Sequence, residues 1–212
     1  MKSLPLSTKA YLQIRKLILS NQLTAKTRLK EDEWASKIGV SRMALREALN
    51  RLHGEQLVSL GEKGGYYVSF LKAREVHMIR ELREILEVGA IRLIAKKFNK
   101  KKIDTLEKIC NEFTAMVKEN YFGGACEADI KFHETIIEFA ENEKLMLAYT
   151  VSHIPLFHHQ MGKTHKLLSD YELTDKEHRQ IVKALKERNA DLAIKWLIKH
   201  FARGETVMLN ID

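Results

Sequence analysis

Gly39-Val40-Ser41-Arg42-Met43-Ala44-Leu45-Arg46-Glu47-Ala48-Leu49-Asn50-Arg51-Leu52, followed a little later by Gly61-Glu62-Lys63-Gly64-Gly65-Tyr66-Tyr67-Val68-Ser69, decides how this chain is read. A helix starting at Glu31, with Trp34, Ala35 and Ile38 on one face, must stop at Gly39, because glycine adopts the left-handed conformation of a helix terminus at little cost. Ser41 then suits the N-cap, where a hydroxyl accepts from a backbone N–H of the next turn. Leu45, Ala48, Leu49 and Leu52 form the apolar stripe of a helix running to about His53. Two helices joined at Gly39-Val40-Ser41 make a helix-turn-helix pattern. Leu57–Leu60, the glycine-rich turn 61–65 and Tyr66–Ser69 read as strand, turn and strand, the hairpin called a wing. Upstream, Leu12, Ile14, Leu17, Ile18 and Leu23 follow helical spacing from about Thr8 to Gln22, and a short extended stretch surrounds Arg28–Lys30. Residues 1–70 are therefore expected to form a winged helix-turn-helix domain.

The distribution of charge agrees. The 212 residues include 36 Lys+Arg and 28 Asp+Glu, a formal net charge of +8. Residues 1–74 hold 8 Lys and 6 Arg against 6 acids, whereas residues 75–212 balance 16 Lys and 6 Arg against 22 acids. Histidine is distributed the other way, with only His53 before residue 75. A basic small unit joined to a neutral, histidine-rich one implies two domains with different partners, the plain alternative being a solvated basic face. A recognition helix offers its first turn to base edges in the major groove. Here that turn presents Ser41, Arg42, Met43 and, one turn on, Arg46. Arginine suits bidentate contact with O6 and N7 of guanine, while Ser41 and the helix N-terminus suit a phosphate. Lys63, beside Gly64 at the wing tip, is placed for a phosphate or the minor groove. The competing reading makes Arg42 and Arg46 ordinary solvated arginines paired with Glu47 or Asn50.

Composition excludes several classes. With 45% apolar residues the chain can bury a core. Two prolines and ten glycines are few for a sandwich or barrel. No uncharged apolar run reaches transmembrane length, and the N-terminal MKSLPLSTKAYLQIRK meets polar residues too early for a secretory segment. Cys110 and Cys126 form no CxxC pair or disulfide framework, so a reducing cytoplasm is expected.

After a linker at residues 71–74, residues 75–212 read as an antiparallel all-helical bundle. Helices are expected over Val76–Phe98, with Ile79, Leu82, Ile85, Leu86, Ala90, Leu93 and Ile94 in a stripe, and over Lys101–Glu119. Gly123-Gly124 is expected to break the chain before a helix from Ala125 to Ala140. A long helix from Lys144, kinked at Pro155, fades near Ser169. Thr174 caps the next, with Glu177 as its capping-box partner, and the last runs from Asn189 or Ala190 to about Leu209. Asp129 and His133, four residues apart, leave one face of a helix and can share an ion. Imidazole with carboxylate suits Zn, Ni, Mn or Fe better than Ca or Mg. By spacing alone the remaining ligands stay open among His178, His200, His153, His158, His159 and His165.

The segment Gly39–Leu52 with Gly64-Gly65-Tyr66-Tyr67-Val68 resembles the DNA-binding domain of the GntR family of bacterial transcription regulators. That resemblance implies that Arg42 and Arg46 read bases and that Ser41 and the wing glycines contact the backbone. The chain departs from the family at Met43-Ala44, where Thr-Pro is common, and at Glu31-Asp32-Glu33, where some members place an arginine. Asp129-x3-His133, with His178 45 residues later and His200 a further 22, is similar to the effector domain of the FadR-type (FCD) branch. Glu177–Leu185 and Ala193–His200 match as well. The resemblance implies that Asp129, His133, His178 and His200 bind one divalent metal, zinc before nickel, manganese or iron, beside a small carboxylate effector. It also implies that Arg83, on the first helix of the domain, faces the pocket and grips that acid bidentately. The alternative for Arg83 is a surface pair with Glu87.

The function expected is a cytoplasmic repressor acting as a homodimer on a palindromic DNA operator and released by a carboxylic acid, and not an enzyme. Two other readings stand beside it. One is a constitutive DNA binder with a purely structural metal. The other is a metal-dependent hydrolase or lyase with a DNA-binding arm, in which Glu134 or Glu177 would act beside the metal, although neither lies on a spacing such as His-Glu-x-x-His.

Overall fold

A computed structural model describes residues 4–19, 22–62, 64–70, 72–152 and 168–209. The chain divides into two compact units, Met1–Phe70 and Leu71–Asp212. Lys63, the bend expected at Pro155, and His153, His158, His159 and His165 lie outside the described residues.

The first unit runs α1 (Leu6–Leu19), β1 (Arg28–Leu29), α2 (Glu31–Ile38), α3 (Arg42–Gly54), β2 (Val58–Leu60) and β3 (Tyr66–Val68). Gly39 ends α2 with φ 73°, its N–H reaching Ala35 and Ser36 O. Ser41 caps α3, its Oγ accepting from Ala44 N at 3.2 Å. Ile14 and Ile18 of α1, Trp34 and Ile38 of α2, and Leu45, Leu49 and Leu52 of α3 close one core. Leu12, expected on the inner stripe of α1, is instead about half exposed, and Ala10 and Tyr11 are buried in its neighbourhood. The strands form an antiparallel sheet in the order β1-β3-β2, with Leu29 opposite Tyr66 and Ser59 opposite Tyr67. Gly64 and Gly65 turn the hairpin at φ 77° and 87°. The Tyr66 hydroxyl donates to Asn50 Oδ1 and so fastens the wing to α3.

The second unit runs α4 (Ala73–Lys96), α5 (Lys100–Lys118), α6 (Phe122–Phe139), α7 (Glu143–Val151), α8 (Leu168–Lys186) and α9 (Ala190–Leu209). α5 packs on α6 and α8, α9 on α8 and α4, and α4 on α6. Asn99 and Asn142 cap α5 and α7 through their side chains.

Three expectations are corrected here. Gly123-Gly124 does not break the chain, because α6 starts at Phe122 and runs through both. The turn before it is made at Asn120, φ 56°, and Gly124 serves close packing: a Cβ there would lie 2.5 Å from the Tyr121 ring and 2.9 Å from Met116 Sδ. Thr174 is not an N-cap, because α8 already begins at Leu168 and Thr174 is buried within it. Ile85 is 71% exposed, because the buried face of α4 is Val76, Arg83, Leu86, Glu87, Ala90, Ile91 and Ile94. The apolar stripe drawn on the sequence is thus rotated toward two charged residues.

Gly39 and Gly54 give opposite expectations for the same substitution. Gly39→Ala forces a Cβ into the left-handed region and is expected to lower stability by about 1 kcal/mol. Gly54→Ala, at a helical residue with open space around it, is expected to be neutral or stabilising by up to about 1 kcal/mol. Urea unfolding of the two variants measures both signs.

Candidate nucleic-acid interface and metal centre

On the first unit, the start of α3 is exposed. The Arg42 and Arg46 side chains are 64% and 56% accessible, and Met43 is 79%. Neither arginine is tied to Glu47 or Asn50. Arg46 forks onto Glu31 of α2, with Nε 3.2 Å from both carboxylate oxygens and Nη2 2.7 Å from Oε2. That hydrogen bond holds the Glu31 carboxyl below the usual carboxylate range. Arg42 Nε lies 2.9 Å from Asp32 Oδ1. Arg28 and Tyr67 lie on adjacent strands of the wing sheet, the guanidinium carbon 5.9 Å from the ring centroid.

The second unit brings Asp129, His133, His178 and His200 together. One ligand atom from each lies within 4.8 Å of the others, and the three histidines are buried. Asp129 and His133 come from α6, His178 from α8 and His200 from α9, so no two neighbouring stretches of sequence could form this group alone. His133 Nδ1 lies 2.6 Å from Glu87 Oε2, and His200 Nδ1 lies 3.0 Å from Glu177 Oε2. A carboxylate can only accept, so each ring carries a proton on Nδ1, and in its neutral form turns a lone pair inward at Nε2. Those two Nε2 atoms lie 3.1 Å apart. Burial pushes His200 down to about 3 against the Glu177 hydrogen bond, and His178 and His133 push the same way, so the ring is neutral.

Two lone pairs facing at this distance repel unless a positive centre lies between them. Two nitrogens each about 2.0–2.1 Å from one ion would be roughly 3–3.4 Å apart. His178 Nε2, buried and without a hydrogen bond among the described residues, faces Asp129 Oδ1 at 3.3 Å. The donors, their tautomers and their spacing fit a divalent transition ion.

Around the ligands lies a second set of groups that the sequence reading missed or misassigned. Glu87 is fully buried; its Oε1 accepts from Arg83 Nε at 2.9 Å while its other oxygen faces His133. Glu177, read as a capping residue, accepts from His200 and from Arg203, whose Nη2 also reaches the Thr174 hydroxyl at 2.7 Å. Burial raises the carboxyl of Glu177, but the bonds from His200 and Arg203 outweigh it and hold the group at about 2. Carboxylates that fix the far nitrogen of a histidine set its tautomer and orientation toward a metal. The available signal was Arg83-x3-Glu87: opposite charges on a helix face that otherwise holds Leu86, Ala90 and Ile91. Arg83 is not the surface residue of the alternative reading. It is 3% exposed and its guanidinium lies 4.4 Å from the Phe201 ring centroid. Breaking a buried charge pair by removing one member costs about 3–5 kcal/mol, so this network fixes the bundle as well as the histidines.

Residues 6–68 match the bacterial regulatory proteins of the gntR family, and residues 78–203 match the FCD domain. The chain is 27% identical to the HTH-type transcriptional regulator YdhC of Bacillus subtilis (strain 168), over 94% of this chain and 89% of that protein. It is 24% identical to the gluconate operon transcriptional repressor of Bacillus licheniformis, over 89% and 79%. A crystal structure of a GntR transcriptional regulator from Rhodococcus sp. RHA1 superposes with a TM-score of 0.83 at 18% identity, covering 97% of this chain and 98% of that one, which shows the shared fold. Among the described residues no helix is long and apolar enough to cross a membrane. The chain thus belongs to the gntR family of bacterial regulatory proteins, a family of transcriptional regulators and not of enzymes, and carries an FCD domain behind its winged helix-turn-helix.

Proposed function

We propose that this regulator is a cytoplasmic, homodimeric repressor whose operator affinity is set by a small carboxylic acid bound beside a metal in the FCD domain. The observation that carries the reading is the inward-facing set Asp129, His133, His178 and His200, with Nε2 lone pairs of His133 and His200 meeting at 3.1 Å inside an apolar bundle. Zinc is the first choice of ion for three imidazoles and one carboxylate, ahead of nickel, manganese and iron. Such an ion would supply a fixed positive centre able to attract the carboxylate of an effector. The name of the gluconate operon transcriptional repressor supports the repressor role. Residues 1–70 serve as the DNA-binding unit, with Ser41, Arg42, Met43, Arg46, Lys63 and Gly64 at the interface. Arg83 is the candidate grip for the acid. To take that role it would exchange or share its bond to Glu87, and such an exchange would couple acid binding to the orientation of His133. A dimer would place two recognition helices about 34 Å apart, which calls for a palindromic operator.

One observation favours a second reading, in which the metal is only structural and DNA binding is constitutive. Arg83 is already held by Glu87 and packed on Phe201, leaving the proposed acid grip engaged within the protein.

Two measurements test these readings. Arg42→Ala combined with Arg46→Ala is expected to weaken binding to the protein's own promoter region at least about tenfold at moderate salt, and unchanged affinity would reject the DNA-reading role. Purified protein is expected to carry about one transition ion per chain, lost on His178→Ala or on chelation, with a lower melting temperature. A panel of small carboxylates should then raise the melting temperature and release DNA only in the metal-loaded protein. Release that persists after chelation makes the metal a structural staple, and absence of any release by acids supports the constitutive binder.

A further inference from the structure

The acids at the start of α2 are out of place on a surface that meets a polyanion. Glu31, Asp32 and Glu33 occupy the first turn of that helix, where they complement its dipole. Glu33 is occupied by Lys30, 2.6 Å away. Glu31 and Asp32 instead hold two exposed arginines at the start of α3: Arg46 on Glu31 through Nε and Nη2, and Arg42 on Asp32 through Nε, with Arg42 Nη2 also 4.0 Å from Glu31 Oε2. At physiological salt a carboxylate within about 8 Å of a phosphate is only partly screened, so both acids lower affinity for any duplex.

What they supply is orientation. A guanidinium has a side edge, Nε with Nη2, and an end edge, Nη1 with Nη2. Guanine offers O6 and N7 to two donors on one edge. Each carboxylate takes the Nε side of its arginine, so the end edge is the one left to face a groove. An arginine without that partner swings on its flexible stem and finds phosphates as readily as bases.

We propose that Asp32 and Glu31 are specificity-determining positioning residues, each holding the side edge of one recognition-helix arginine so that its end edge reads a guanine. Asp32 acts through Arg42, and Glu31 acts chiefly through Arg46, its contact with Arg42 being the longer one at 4.0 Å. The pairs exchange general affinity for base discrimination: they weaken attachment to phosphates and narrow what the arginines accept. This rests on the reading that α3 enters the major groove, and the experiment separates the two.

The test uses the full-length protein and a duplex pool with a randomised core, enriched by repeated binding and sequenced, together with affinity for an arbitrary duplex at 0.15 M salt. Asp32→Ala and Asp32→Asn are expected to reduce guanine preference at one symmetry-related pair of positions by roughly fivefold to a hundredfold, the discrimination of a bidentate contact. Affinity for the arbitrary duplex is expected to rise several-fold. Glu31→Gln should do the same chiefly at a different pair of positions, with a smaller loss at the pair read by Arg42. Glu33→Gln, which removes a charge from the same helix turn but touches neither arginine, should leave base preference unchanged. In an Arg42→Ala background, Asp32→Ala should cause no further loss of preference, because the acid acts through that arginine. The proposal is overturned if affinity rises with base preference intact, which makes the acids mere repulsion. It is equally overturned if specific and arbitrary binding fall together with the melting temperature, which makes them structural. A wild-type protein that enriches no sequence at all rejects the DNA-reading role itself.

Discussion

Burying charge inside a helical bundle is tolerated only when every charged group finds its partners within the bundle, and the FCD domain is organised by that constraint. Arg83, Glu87, Glu177 and three histidines lie on four helices whose other inner residues are mostly apolar. None of these polar groups could remain there alone. Glu87 links Arg83 to His133, and Glu177 links Arg203 to His200. The two chains of hydrogen bonds converge on facing imidazole nitrogens, so packing and the candidate ion site are one arrangement. A helix that shifted by a turn would strand a carboxylate or an arginine in an apolar layer, which makes the register of α4 against α6, and of α8 against α9, far stricter than apolar contact alone would impose.

Much of the first unit was legible in the sequence because its signals are local. Gly39 ends α2 and Ser41 caps α3 for reasons that involve only neighbouring backbone. The strand–turn–strand of the wing is likewise set by residues within a dozen positions of one another. In the second unit the ligand types could be named, and Asp129 with His133 follows from one helical turn. The selection of His178 and His200 over the other histidines came from family resemblance, since contacts between α6, α8 and α9 leave no periodic trace in a single chain.

The misreadings share a cause. A stripe drawn through apolar residues alone puts Ile85 inside, whereas the inner face of α4 includes Arg83 and Glu87. Thr174 and Glu177 have the spacing of a capping box, yet both are buried in mid-helix, engaged by Arg203. Gly123-Gly124 looks like a break, but the second glycine makes room for Tyr121 and Met116. For Arg83, Glu87, Thr174 and Glu177 a tertiary partner supplied by another helix, invisible to local pattern, holds the residue inside.

The order of the wing sheet carries a consequence of its own. β1 pairs with β3, so Arg28 and Leu29 are fastened to Tyr67 and Tyr66, and α2 begins two residues after that pairing. Tyr66 in turn is bonded to Asn50 of α3. The wing strand, the first turn of α2 and α3 thus behave as a single stiff caliper: the distance from the hairpin to Arg42 and Arg46 is set within the unit itself, before any partner arrives.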